Sequence, residues 1–478
     1  MMNPSSSGWI KKFFSLHDNF EELLIIHDQE MTLGEQLYGF LQPTGIIYGY
    51  PTNFIFVPEE IYSKWSNEEK FKVLLFESLI VSDYLFSGRI RMDKLEVYIQ
   101  NFVGFYEQTA IEKAKRNWLN FKGADAFEKL ESILDQRVDI KISLSHGLWT
   151  SYLHNSLVFQ DLIFYMEYLG NNDTGMVAGQ RFDVMMDMLK VVSVAAHADG
   201  KVAEEEEALF DILMASSRLQ GVDKEEVETF WKENKTLNDI QFNYEMSWLM
   251  KRYFLEIATL TVWSDKVVTP EEQIFLDELG KKMMMEEDEQ DKSFIAIQAF
   301  VLENAAVVPF LSGKNETEHF MNGAVEKWRR ILGRNREKLA AELQQSKDLM
   351  ALIAKSTTSD LTSEEKKRAK TQLKDLAKTI PAFTLFMLPG GAIIMPLVLK
   401  LIPDLVPSAF KSNYIAAKIE EKQSENESEN EEKQNECECE NEGKQSEGKQ
   451  SENESEKKQS ESENESENEG KTERGKTE

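Results

Sequence analysis

The chain has 478 residues, 41% of them hydrophobic, and carries a formal net charge of -29 at neutral pH. Such a length can bury two or three separate cores, so the protein needs no staples to fold. The acidic balance excludes a general affinity for nucleic acid, which requires a basic stripe that releases counterions from phosphate.

The charge is uneven, because residues Lys422 to Glu478 hold nine Lys or Arg against twenty Glu, a net -11. Both cysteines, Cys437 and Cys439, lie in this stretch as "ECECE". They read as incidental rather than redox-active, and the rest of the chain gives no sign of an oxidising compartment. The N-terminal "MMNPSSSGWIKKFFSLHDNFEELL" has no continuous apolar core and does not read as a signal peptide.

Helical periodicity dominates from about Glu59. In "EEIYSKWSNEEKFKVLLFESLIVSDYLF", Ile61, Trp65, Phe71, Leu74, Leu75 and Ile80 recur at three- and four-residue intervals, and "MDKLEVYIQNFVGFYEQTAIEKAKRNWL" continues in the same register. Only "GIIYGYPTNFIFVP", Gly45 to Pro58, predicts a short extended pair or an irregular loop. The fold class expected is all-α, a multi-helix bundle. The turn formers "LGNNDTG" at Leu169 and "LSGKNETEH" at Leu311 divide the chain into an N-terminal helical domain over 1–170, a second helical domain over 171–310 and a further region over 311–420. From 421 to 478 the chain is low in complexity: "KQSENES" occurs at Lys422 and Lys449, and "SENESENE" at Ser424 and Ser462. With almost no apolar residue, this tail is expected to stay solvated and disordered.

Within the second region two segments share a pattern offset by 66 residues, "AAHADGKVAEEEEALFDILM" from Ala195 and "TLTVWSDKVVTPEEQIFLDEL" from Thr259. Each has an Asp (Asp199, Asp265), a Val three positions on (Val202, Val268) and a Glu seven positions on (Glu206, Glu272). The pattern predicts helix, tight turn, helix, with Thr269 and Pro270 suited to the cap and first turn of the second copy. Read as calcium loops, the Glu positions fit the twelfth place, but the first and third places fall on Ala195 and His197, or Thr261 and Trp263, which supply no carboxylate. These carboxylates are therefore read as groups that cap helix N-termini. The Asp-Gly turn followed by a helical Glu resembles the TerB-like family of tellurite-resistance helical domains over residues 180 to 290; the second copy departs from it at Lys266. The resemblance implies an all-α bundle with an acidic surface and identifies no reaction.

No phosphate-binding glycine loop, HExxH or CxxC motif occurs. The six histidines, His17, His27, His146, His154, His197 and His319, include no pair at helical metal spacing. No enzyme activity, cofactor or metal is expected.

Residues Thr379 to Leu399 form 21 uncharged positions, about 31 Å as a helix and close to the hydrocarbon thickness of a bilayer. Lys366, Lys367, Arg368, Lys370, Lys374 and Lys378 precede them, placing the N-terminal side in the cytosol. Pro381, Pro389, Pro396, Pro403 and Pro407, with Gly390 and Gly391, oppose a straight helix and predict a kink or a re-entrant hairpin; a buried soluble hairpin is the competing expectation. Upstream, "EKWRRILGRNREKL" from Glu326 to Leu339 carries six basic residues around Trp328, Ile331 and Leu332, as a solvated face or a helix lying on an anionic leaflet.

The run from Leu361 to Phe410 resembles the membrane core of the leucine-zipper and EF-hand-containing transmembrane family, abbreviated LETM. Pro381, Pro389, Pro396, Lys400, Pro403, Pro407, Ser408 and Phe410 fit its proline-spaced pattern without a gap. With the opening "MNPSSSGWIKKFF" and a helical middle, the arrangement is similar to the LETM-related biofilm-associated proteins of Bacteroidetes-type bacteria. That likeness implies a membrane-associated protein of envelope or biofilm physiology. LETM cation/proton exchangers carry an acidic residue where this chain has Ala392, and the ribosome-binding domain that follows their apolar segment is expected to be missing here, which makes ribosome binding doubtful. The primary expectation is thus a non-enzymatic scaffold anchored by residues 379–410, with lipid as its partner, at the bacterial inner membrane with most of the chain cytoplasmic. Two others stay open: a homo-oligomeric LETM-like cation/proton antiporter, and a soluble, cytoplasmic TerB-like scaffold linked to metal or stress.

Overall fold

A computed structural model describes residues 2–24, 31–109, 124–138, 155–170, 174–263 and 269–303, with isolated positions between 348 and 372. The chain divides into two compact units, Met1–Leu405 and Val406–Glu478, and all described residues belong to the first. Among the described residues there is no strand, so the all-α expectation is met there.

The helices are α1 (Trp9–Phe13), α2 (Leu33–Leu41), α3 (Glu59–Tyr62), α4 (Asn67–Ser87), α5 (Leu95–Thr109), α6 (Ala126–Val138), α7 (Gln160–Gly170), α8 (Thr174–Ala196), α9 (Glu204–Ser217), α10 (Val222–Lys232), α11 (Trp248–Val262), α12 (Pro270–Lys282) and α13 (Glu287–Glu303). α4 packs against α2, α6 and α7; α8 touches α5, α7, α9, α10 and α11; and α11 reaches α2, α12 and α13. Buried side chains from Met2 to Phe300 form one continuous hydrophobic cluster.

The periodic run from Glu59 to Phe86 folds as two helices, α3 and α4. The first ends at Tyr62, and Ser66 starts the second: its hydroxyl accepts from Glu69 N at 3.2 Å while the Glu69 carboxylate accepts from Ser66 N at 2.9 Å. This reciprocal pair satisfies two amides that the helix leaves open at its start. Gly88, in the left-handed region at φ 75°, closes α4 and breaks the register expected to run on into α5.

Helix α4 is buried without interruption from Phe71 to Asp83, a pattern expected of a central helix with no solvent face. Its polar residues are consequently bonded inward. Ser78 and Ser82 donate to the carbonyls of Leu74 and Ser78 one turn back, at 2.7 and 2.8 Å. Lys72 donates to Pro4 O at 3.0 Å and pairs with Asp135 of α6.

An aromatic cluster fills the space beside α4. Phe13 packs on Phe20, Phe56 and Phe76 with ring centroids 5.3, 6.1 and 5.1 Å apart, and Trp9 meets Phe76 edge-on at 5.5 Å. Residues 45–58, expected as an extended pair or a loop, form a 3-10 turn at Ile46–Tyr48 followed by irregular backbone. Gly45 enables that turn: its φ is 79°, and a Cβ there would lie 1.9 Å from Tyr50 O.

Among the described residues no helix is long and apolar enough to cross a membrane. The apolar segment 379–410, the basic run Glu326–Leu339 and the acidic tail lie outside the described residues.

Candidate functional site

The repeated carboxylates are built into helix starts. Asp199 is exposed in the turn after α8, where its Oδ1 accepts from Lys201 N at 2.8 Å and Gly200 takes φ 81°. Glu206, the third residue of α9, is 3% exposed and accepts from Ala203 N at 2.9 Å. Ala203 has no oxygen to return, so only half of a capping box forms. In the second copy the box is complete: Glu272 accepts from Thr269 N at 2.7 Å, and Thr269 Oγ1 accepts from Glu272 N at 3.3 Å, with Pro270 at the first helical position. Asp265 lies outside the described residues. Asp199 and Glu206 thus serve separate backbone donors, and among the described residues no three His, Cys, Asp or Glu side chains converge as metal ligands.

Pro381, Pro389, Gly390, Gly391, Ala392, Pro396, Lys400, Pro403 and Pro407 fall outside the described residues, as do His27, His146, His154 and His319. His17 Nε2 lies 2.6 Å from Phe56 O and His197 Nδ1 lies 2.8 Å from Ser193 O. Each of those nitrogens carries the proton in its contact, since a carbonyl only accepts.

The most heavily engaged polar groups are buried carboxylates to which the sequence patterns assign no role. Glu77 sits inside "KVLLFESLIVS", and its two oxygens accept the amides of Ile55, Phe56 and Val57 at 2.9, 3.0 and 3.0 Å. Burial pushes its carboxyl up to about 8, with the three amides pulling the other way. Glu131 of α6 receives Gly8 N and Ile10 N at 2.9 and 3.0 Å and so caps α1 from a distant part of the chain. Glu256 of α11 accepts from Tyr38 at 2.6 Å, Tyr48 at 2.9 Å, Ser293 at 3.0 Å and Arg252 Nε at 3.0 Å, joining α2, α11 and α13. Burial raises the Tyr38 and Tyr48 hydroxyls well above the ordinary tyrosine value, so both remain donors. A carboxylate set in an apolar run is the signal that marks such positions, because a charge is buried only with partners.

Asp161 of α7 differs in holding two guanidinium groups. Arg137 Nε and Nη2 donate to its oxygens at 2.7 and 2.8 Å, Arg181 Nη2 at 2.5 Å and Tyr106 at 3.1 Å. Arg181 Nη1 donates to Thr109 Oγ1 at 3.0 Å, and its guanidinium lies 5.6 and 5.5 Å from the Phe105 and Phe164 ring centres. Burial lowers the Arg181 value, an effect that Asp161 opposes and Arg137 reinforces. Burial likewise opposes the charge on Arg137, but the Asp161 contacts outweigh it and leave that group raised.

Neither a curated protein nor a solved structure matches the chain. Residues 361–475 match the model of the family described as LETM1-like, RBD. The match starts at Leu361, where the proline-spaced likeness begins, and runs past Phe410 into the low-complexity region, beyond the stretch in which the likeness was expected. Over residues 361–475 the chain is similar to that LETM1-like family.

Proposed function

We propose that this protein is a membrane-associated, non-enzymatic scaffold of the LETM-related, biofilm- or envelope-linked type, its helical unit held at the bacterial inner membrane by the apolar segment. The observation that carries this reading is the family match, which takes in the 21 uncharged residues from Thr379 to Leu399. The helical unit supports the scaffold part of it. Glu206, Glu272, Glu77, Glu131 and Glu256 are engaged with backbone amides or neighbouring side chains that close helix ends and join distant segments. Ala392, at the place where the family's exchangers carry an acid, counts against ion exchange through this segment.

High-speed sedimentation of the full-length protein without detergent tests the reading. The protein is expected in the membrane pellet and released by detergent, while a variant lacking residues 379–410 is expected in the supernatant. Full-length protein in the soluble fraction would sink the proposal. Protease access to the tail from each side of the membrane then distinguishes a crossing from a re-entrant arrangement.

A further inference from the structure

We propose that Arg137 and Arg181, held side by side on Asp161 where α5, α6, α7 and α8 meet, form a binding site for a phosphate-type oxyanion. The argument starts from charge. Two guanidinium groups share one fully buried carboxylate, and their other polar neighbours, Tyr106 and Thr109, are neutral. Among the described residues no second carboxylate is paired with either arginine, which leaves one positive charge in excess. The arginine side chains are only 21% and 13% exposed, so water screens that excess poorly.

Geometry supplies the rest. Asp161 takes Nε and Nη2 of Arg137 and Nη2 of Arg181, and Thr109 takes Nη1 of Arg181. Thr109 passes its own proton to Phe105 O at 2.7 Å, so its lone pair stays committed to the arginine. Arg137 Nη1 and Arg181 Nε are then the nitrogens without a partner among the described residues, and neither is closed off from solvent. Each guanidinium, locked by the common carboxylate, keeps an N–H donor available to a small anion without further loss of side-chain freedom. A tetrahedral oxyanion bearing one or two negative charges would cancel the excess. In a chain of net charge -29 such a site is local, because the surrounding field repels anions.

Thermal unfolding and calorimetric titration of the full-length protein with inorganic phosphate, against chloride at equal ionic strength, tests this. Wild type is expected to gain thermal stability with phosphate and to bind it. Arg181→Gln, which leaves a balanced Arg137–Asp161 pair, is expected to bind phosphate at least about tenfold more weakly, the loss of one charge-assisted contact. Arg181→Lys keeps the charge without the fork and, should the Gln variant fail to fold, carries the comparison; it too is expected to weaken phosphate binding. No phosphate-specific effect in wild type, or equal affinity in the folded variants, would overturn the site. Co-sedimentation with phosphatidylglycerol vesicles against phosphatidylcholine vesicles separates the two sources of the anion. A preference for phosphatidylglycerol that the variant loses assigns a lipid headgroup, whereas phosphate binding with unchanged vesicle partition assigns a soluble phosphate.

Discussion

The amide of Phe56 lies 3.0 Å from the carboxylate of Glu77, with both residues shut away from water. Ile55 and Val57 donate to the same carboxylate, and the Phe56 carbonyl meets His17 Nε2 at 2.6 Å. One peptide unit is therefore gripped from both sides. This ties the irregular loop after Gly45 to α4 and to the N-terminal aromatic cluster.

The Glu77 contact has a defined pH signature. Burial lifts its folded-state value from 4.5 to about 8, so its contribution to stability is complete below about pH 4.5 and is lost as the pH rises through about 8. Glu77→Gln does not ionise, and its amide group sets a donor against one of the three backbone donors. The variant is expected to be about 1–3 kcal/mol less stable than wild type at pH 5, a deficit that shrinks as the pH rises and is gone or reversed by about pH 8. Urea unfolding of both proteins at the two pH values checks this, and a gap that widens with pH contradicts it.

Glu256 should be the costlier site. Glu256→Ala strands Arg252, which is 3% exposed, and removes the acceptor of two buried tyrosine hydroxyls and of Ser293. Breaking such a buried pair from one side costs about 3–5 kcal/mol. Arg252 retains Glu289 Oε2 at 3.4 Å as a second, more exposed partner, which favours the lower end of that range. Denaturant midpoints measure the loss, and hydrogen exchange is expected to show it in α2 and α13 together, since Tyr38 and Ser293 are released at once.

How much of this was legible in the sequence depends on the range of the interaction. The tight turn at Asp199-Gly200 and the cap at Thr269-Pro270 are local, and the structure places both where the residues imply. The start of α4 at Ser66 is equally local, since Ser66 and Glu69 spell a capping box inside a periodic run. Glu131 capping α1, by contrast, joins residues more than a hundred positions apart, and no spacing rule reaches that far. The Asp161 cluster gathers Tyr106, Arg137 and Arg181 from three other helices in the same way. An acid inside an apolar run is the local signal for burial at Asp161, but only packing says which cations it meets.

The two capping sites of the repeat make a paired prediction. Thr269 and Ala203 share an extended conformation at φ -82°, ψ 160° and φ -72°, ψ 156°, and both amides donate to the Glu three positions on. Thr269→Ala removes the hydroxyl that accepts Glu272 N and is expected to cost about 1 kcal/mol. Ala203→Ser supplies the missing half at α9 and is expected to return about 0.5–1 kcal/mol. Differential scanning calorimetry should thus show melting temperatures moving in opposite directions; a shift in the same direction would separate the two turns physically.

Gly45 is the most sharply constrained backbone position of the loop that Glu77 holds. Its φ of 79° already disfavours any side chain, and a Cβ would meet Tyr50 O at 1.9 Å and Phe300 Cζ at 3.0 Å. The first contact is with backbone that itself accepts no rotamer change, because Tyr50 N donates to Gly45 O at 3.1 Å and Thr52 N to Thr44 O at 2.9 Å. Relief therefore requires the turn to open, which moves Tyr48 away from Glu256 and Phe300. Gly45→Ala is expected to cost at least about 2–3 kcal/mol, from strain and overpacking together. Equilibrium unfolding gives the magnitude, and hydrogen exchange gives the mechanism: amides of α13 should lose protection along with those of the loop. Loss confined to residues 45–52 would mean that the turn yields without disturbing the Glu256 network.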